Sequence, residues 1–135
     1  MTRNPNIPAN YQTVMPYLIL EDAAAFIRFM ETVFNAKLNF TTMRDEKNIM
    51  HAEIMIDDCT IMLADATEQT GKQPACLFIH SEKCDETYKL AIEAGASSLR
   101  EPSDQPYGRS AGVKDPFGNS LWITSVKSIS EPNPQ

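Results

Sequence analysis

Met15-Pro16-Tyr17-Leu18-Ile19-Leu20-Glu21-Asp22 opens a unit that the chain states again about 60 residues later, as Cys76-Leu77-Phe78-Ile79-His80-Ser81-Glu82. Each stretch is a short apolar strand running into an acidic helix start. The first continues as a helical run to Phe34-Asn35-Ala36, and the second to Ala94-Gly95-Ala96. Ala23, Phe26, Ile27, Met30, Val33 and Phe34 recur at spacings of three and four, which predicts one buried helical stripe. Asp22 is placed to cap that helix, and Asn35 and Gly95 are suitable stops.

The segments after each helix read as three strands. In the first half these are Lys37–Met43, Ile49–Ile56 and Cys59–Ala64, with Asp57-Asp58 as a two-residue hairpin turn. In the second half they are Ser97–Arg100, Tyr107–Lys114 and Ser120–Ser125, with Asp115-Pro116-Phe117-Gly118-Asn119 as a structural turn. The order is therefore β-α-β-β-β twice. This predicts an α+β fold of paired βαβββ modules forming a curved mixed sheet with a central cleft. Residues 1–11 read as a flexible arm and 12–126 as one domain, with modules over about 12–66 and 75–126; residues 127–135 read as a tail.

If Asp57-Asp58 is the turn, Ile56 pairs with Cys59, Met55 with Thr60, Glu53 with Met62 and His51 with Ala64. Directly paired residues share a face. One face then carries Ala52, Ile54, Ile56, Ile61 and Leu63, suited to packing against a helix. The other carries His51, Glu53, Met55, Thr60 and Met62, mixing ionisable groups with soft apolar ones. His51 and Glu53 lie two apart on one strand, about 6.5–7 Å between Cα atoms. They read as an acid/base or ligand-anchoring pair, or as a structural hydrogen-bonded pair, since a carboxylate orients a neighbouring imidazole.

Composition removes several classes. No apolar run approaches the roughly 20 residues that span a bilayer, and the first residues lack the apolar segment of a signal peptide. A soluble, cytoplasmic protein is expected. Cys59, Cys76 and Cys84 form no C-x-x-C pair and read as reduced thiols. A net charge of −6 argues against nucleic acid; it would attract a cationic ligand, or serve only solubility.

Three motifs carry a family resemblance: Pro16-Tyr17-Leu18-Ile19-Leu20-Glu21-Asp22-Ala23-Ala24; Met50-His51-Ala52-Glu53-Ile54 followed by Ile61-Met62-Leu63-Ala64-Asp65; and Val113-Lys114-Asp115-Pro116-Phe117-Gly118-Asn119 followed by Trp122. In this order the chain resembles the vicinal oxygen chelate superfamily, which includes glyoxalase I, bleomycin-resistance proteins and extradiol dioxygenases. It looks most like the PhnB-like branch, over residues 12–126. The resemblance implies four metal-ligand places, normally His, Glu, His and Glu. By register these fall on Met15, Met62, Cys76 and Trp122. None offers imidazole or carboxylate, so no metal and no cofactor are expected. Soft ligands suit only Cu(I), and an apolar cavity lining is the reading adopted.

The expected function is that of a metal-free small-molecule-binding protein with an aromatic and Met-lined cleft; the resemblance to bleomycin-resistance proteins implies sequestration, with a homodimer as the assembly. The expected ligand-binding residues are Met15, Tyr17, His51, Glu53, Met55, Met62, Cys76, Phe78, Trp122 and Arg109. Trp122 reads equally as cavity lining or core filling. Cys76 reads as a buried spectator thiol, His80 as a rim residue open to solvent, and Arg109 as an anion clamp or a surface ion-pair partner. The alternative is a glyoxalase- or dioxygenase-related enzyme using His51 and Glu53 as an acid/base pair or a displaced metal site.

Overall fold

The computed structural model describes residues 3–126. They belong to two compact units, Met1–Pro74 and Ala75–Gln135, each taken here by itself. The expected tail, 127–135, lies outside the described residues.

Unit one contains β1 (Tyr17–Leu20), α1 (Ala23–Phe34), β2 (Lys37–Met43), β3 (Ile49–Ile56) and β4 (Cys59–Asp65). Unit two contains β5 (Cys76–His80), α2 (Cys84–Glu93), β6 (Ser97–Gln105), β7 (Gly108–Lys114) and β8 (Ser120–Val126). Each unit is βαβββ, and each forms a four-stranded mixed sheet, ordered β1-β4-β3-β2 or β5-β8-β7-β6. The first strand of each unit pairs in parallel with its last, and the other pairings are antiparallel.

Local chemistry explains the boundaries. Asp22 Oδ1 accepts from Ala25 N at 3.1 Å, and Asn35 ends α1 in the left-handed region at φ 57°. Asp57 takes the positive φ of the β3–β4 turn, at 50°. The expected pairings Ile56–Cys59, Met55–Thr60 and Glu53–Met62 are all present. The apolar face predicted for β3 and β4 is buried at Ala52, Ile54, Ile61 and Leu63, and α1 adds Ala23, Phe26, Ile27, Phe29, Met30 and Val33. Burying a side chain of this size stabilises by about 1.5–3 kcal/mol. Phe34, expected in the stripe, is only partly buried, and Phe29 is buried in addition.

Three boundaries differ from the sequence reading by more than one residue. β1 is shorter than expected, beginning at Tyr17. Helix α2 starts at Cys84, after Glu82, because Ser125 Oγ accepts from Cys84 N at 2.7 Å and fixes the first turn there. Strand β6 runs five residues beyond Arg100, through Glu101-Pro102-Ser103-Asp104-Gln105. Pro102 is accommodated because it falls where the β6–β7 register shifts between Arg100 and Ser103.

Residues expected as a flexible arm are tied to the sheet. Thr60 Oγ1 donates to Asn10 O at 2.5 Å, while Gln12 Nε2 donates to Thr60 O and Gln12 Oε1 accepts from Thr60 N. Arg3 donates from Nη2 to the carbonyls of Pro8 and Tyr11. The turn Asp115–Asn119 is equally bonded. Asp115 Oδ1 accepts from Phe117 N and Asn119 N, and Asn119 Oδ1 accepts from Ala75 N at 2.8 Å. Burial pushes the Asp115 carboxyl up against these bonds, which favour its charged form.

One bond recurs in both units. The buried carboxylate of Asp65, ending β4, accepts from Ala23 N at 2.9 Å and from Ile49 N at 2.6 Å. Ser125, near the end of β8, is its counterpart at the start of α2. Asp65→Ala leaves two buried N–H groups unpaired and is expected to cost about 2–4 kcal/mol; Ser125→Ala, which loses one, should cost about 1 kcal/mol. Urea unfolding followed by circular dichroism measures both, and equal effects would contradict this account.

Candidate functional site

Helices α1 and α2 cover one face of their sheets, so strand alternation assigns the remaining side chains to the other. On that face of unit one, Tyr17 lies directly beside Met62 on β4, Met62 beside Glu53 on β3, and Glu53 beside Phe40 on β2. Tyr17 is 50% exposed and Phe40 48% exposed, so large aromatic surface is open rather than packed.

Four side chains form a hydrogen-bonded chain here. Tyr11 Oη donates to Glu53 Oε2 at 2.6 Å. The same oxygen lies 3.0 Å from His51 Nε2. A carboxylate only accepts, so Nε2 carries a proton; in the neutral ring Nδ1 is then the acceptor for Tyr17 Oη, 3.2 Å away. The Tyr17 ring meets His51 edge-on at 5.4 Å, and Phe40 stands 6.0 Å from His51. Glu53 is buried, and His51 is partly exposed. Hydrogen bonding to Glu53, then burial and the carboxylate's charge, raises the Tyr11 phenol above its ordinary range, so it remains a donor at neutral pH. The arrangement is a continuous hydrogen-bonded chain from half-exposed Tyr17 to buried Glu53.

On the corresponding face of unit two, Phe78 lies beside Trp122, Trp122 beside Gly112, and Gly112 beside Arg100. Phe78 is 53% exposed. A Cβ at Gly112 would run into the Trp122 ring, so glycine is what allows the indole to lie across β7. The Arg100 guanidinium stands over that indole, 5.2 Å from its centroid. Phe78 also contacts His80 at 5.5 Å and Tyr107 at 6.3 Å between ring centroids.

The structure thus groups the expected residues Tyr17, His51, Glu53, Met55 and Met62 on one sheet face, and Cys76, Phe78 and Trp122 on another. The strand neighbours of Met62 and Trp122 are Tyr17 and Phe78, two residues on from the Met15 and Cys76 read by register; Met15 is partly buried and precedes β1. Cys76, expected as buried, is exposed, because it begins β5 on the face away from α2. Arg109 projects to the α2 side. Its Nε and Nη2 donate to Asp85 at 2.9 and 3.1 Å, and its Nη1 donates to Asp104 at 3.2 Å. Arg109 thus sits in a surface ion pair, the second of its two expected uses, with its donors taken up by Asp85 and Asp104. Tyr11, Phe40 and Arg100 were missed: Tyr11 lies in the presumed arm, Phe40 on a strand whose faces the alternation did not assign, and Arg100 at the presumed end of β6.

The profile of the Glyoxalase/Bleomycin resistance protein/Dioxygenase superfamily matches residues 12–123. The chain belongs to this superfamily. An uncharacterized protein of Mycobacterium bovis is 28% identical over 116 residues, covering 77% of this chain and 76% of that one. Two solved structures share the fold. The PhnB protein from Bacillus cereus has a TM-score of 0.68 at 18% identity, covering 85% of this chain and 100% of its own. TnmS3, an antibiotic binding protein from Streptomyces sp. CB03234, has a TM-score of 0.67 at 15% identity, covering 87% and 100%.

A resident divalent ion of the kind the superfamily resemblance implies would need several imidazole, thiolate or carboxylate donors converging. Among the described residues no three His, Cys, Asp or Glu side chains are grouped to hold one. Met62, Phe78 and Trp122 are not donors for such an ion, and the Tyr17 hydroxyl is engaged with His51. The residues present do not fit the metal.

Two outcomes are expected. Gly112→Ala forces the indole of Trp122, the chain's single tryptophan, off β7; the fluorescence spectrum shifts, and stability falls by about 1–3 kcal/mol. Hydrogen bonding from Arg109 holds the Asp85 carboxyl below its ordinary range. Its stabilising contribution is therefore present above a pH of about 4 and is lost as acid titrates it through the lowered value. In Arg109→Ala the Asp85 pKa rises toward the ordinary range, which carboxyl NMR titration measures.

Proposed function

We propose that this protein binds a small, partly aromatic molecule without a metal, and that it acts by sequestration. The observation that carries this reading is the half-exposed aromatic surface on the sheet faces away from the helices: Tyr17 and Phe40 in unit one, Phe78 in unit two. Stacking surface of this kind, set beside a few fixed polar groups, suits a flat organic ligand. Met55 and Met62 add soft surface that adapts to irregular shapes. Glu53 and the net charge of −6 suit a cationic group on the first unit's face. The antibiotic-binding TnmS3 has the same fold, which supports the reading by analogy. A cytoplasmic homodimer completes it. Among the described residues no helix is long and apolar enough to cross a membrane.

The chain Tyr11–Glu53–His51–Tyr17 favours one second reading, an enzyme that uses His51 and Glu53 for proton transfer. In that reading Tyr17 Oη is the group nearest solvent, and Glu53 holds the imidazole tautomer.

A thermal-shift screen of aromatic compounds tests binding. A ligand at 100 times its Kd should stabilise by about 2.7 kcal/mol, and Tyr17→Ala should weaken it. A library in which nothing raises the melting temperature would count against the proposal. Elemental analysis of the purified protein should find no stoichiometric metal, and sedimentation should show a dimer rather than a 15.1 kDa species.

A further inference from the structure

Among the described residues of unit two, two cations are partly buried, Arg100 and Arg109. Arg109 is neutralised by Asp85 and Asp104, and Lys83 lies 3.8 Å from Glu86. Arg100 has no carboxylate partner among the described residues, and its Nε is buried without a hydrogen-bond partner there. The residue is only partly exposed, so water does not fully screen its charge. An unneutralised, half-buried guanidinium is costly unless something else compensates it.

Its surroundings define what that partner would be. The guanidinium carbon stands over the Trp122 indole, 5.2 Å from its centroid, within cation–π range. Tyr107, in the turn between β6 and β7, is held below the ordinary phenol range by hydrogen bonding, from Arg100 first and then from Ser110. Phe78 lies beside Trp122 across the β5–β8 pairing and 6.3 Å from Tyr107. A planar fork of donors with open aromatic surface next to it matches a carboxylate attached to a ring.

We infer that Arg100, standing over Trp122 and flanked by Tyr107, binds the carboxylate of a planar aromatic acid whose ring lies against Phe78. This rests on the small-molecule-binding reading and assigns a ligand class to the second unit's face. Arg100 donates to the two carboxylate oxygens, Trp122 lies under the guanidinium, and Gly112 gives the indole its place.

The test uses the full chain with 2-naphthoate, its neutral amide 2-naphthamide, and acetate, followed by NMR of the Trp122 indole N–H and the Arg100 Nε–H. Naphthoate should shift both signals and bind about tenfold or more tighter than the amide, with acetate far weaker. Arg100→Gln should abolish that preference without lowering the melting temperature of the free protein. Arg100→Lys, which keeps the charge but loses the fork, should retain only part of it. Equal binding of acid and amide at Trp122 would overturn the carboxylate assignment while leaving small-molecule binding intact. Acetate as tight as naphthoate would overturn the aromatic part. An Arg100→Lys or Arg100→Gln protein that binds naphthoate as wild type does would remove Arg100 from the site. Silence of Trp122 toward naphthoate overturns the inference, and silence toward every compound in the thermal-shift screen as well would overturn the broader reading.

Discussion

The first N–H groups of each helix must find acceptors, and the fold is arranged around how they do so. An α-helix leaves its leading amides unpaired. Here one acceptor comes from the last strand of the same unit, Asp65 for α1 and Ser125 for α2. That strand is also the one beside the unit's first strand. The bond therefore ties the start of the helix to the centre of the sheet and closes the βαβββ unit on itself. Asp65 and Ser125 lie 60 positions apart, the same interval that separates Met62 from Trp122. The repeat is thus kept at the level of a bond even where the residue type has changed. Asp65 further accepts from Ile49 N, so unit one also fixes the beginning of β3, and with it the height of His51 and Glu53 on the sheet.

With the helix fixed to one face, the other face is free to carry chemistry. The side chains there do not form the core, so their identities are released from packing. Unit one places a buried carboxylate in a chain of hydroxyl and imidazole groups. Unit two places a guanidinium over an indole. The segment before β1 contributes to the first of these, because the bonds of Asn10 and Gln12 to Thr60 hold Tyr11 where its hydroxyl meets Glu53.

What could be read from the sequence follows the range of the forces involved. The β3–β4 register was legible because a two-residue turn and strict alternation fix it locally; Asp57-Asp58 alone places Glu53 opposite Met62. The α1 stripe was legible for the same reason. Tyr11 was not, since its partner is 42 residues away and nothing in Asn10-Tyr11-Gln12 marks a strand or helix. Arg100 was read only as the end of a short strand, because the polar run Glu101 to Gln105 carries no apolar alternation to extend β6. Cys76 was misjudged because an apolar neighbourhood in sequence, Ala75 to Ile79, alternates between two faces and buries only one of them.

The side chains at the paired strands of the two units differ in kind from the donors a metal centre needs. A metal centre needs small donors aimed at one point, which demands short, polar side chains on neighbouring strands. Tyr17 beside Met62 and Phe78 beside Trp122 do the opposite, since each pair presents broad surface and converges on no point. Such surface gains free energy by area and stacking rather than by coordination. Selectivity must then come from the polar groups at its margin. In unit one that group is the Glu53–His51 pair, whose hydrogen bonds are made to each other and to Tyr11 and Tyr17. In unit two it is Arg100, whose Nε is buried without a hydrogen-bond partner and which lacks a carboxylate partner among the described residues. The guanidinium is consequently the polar group of that face with the most to gain from an anionic partner.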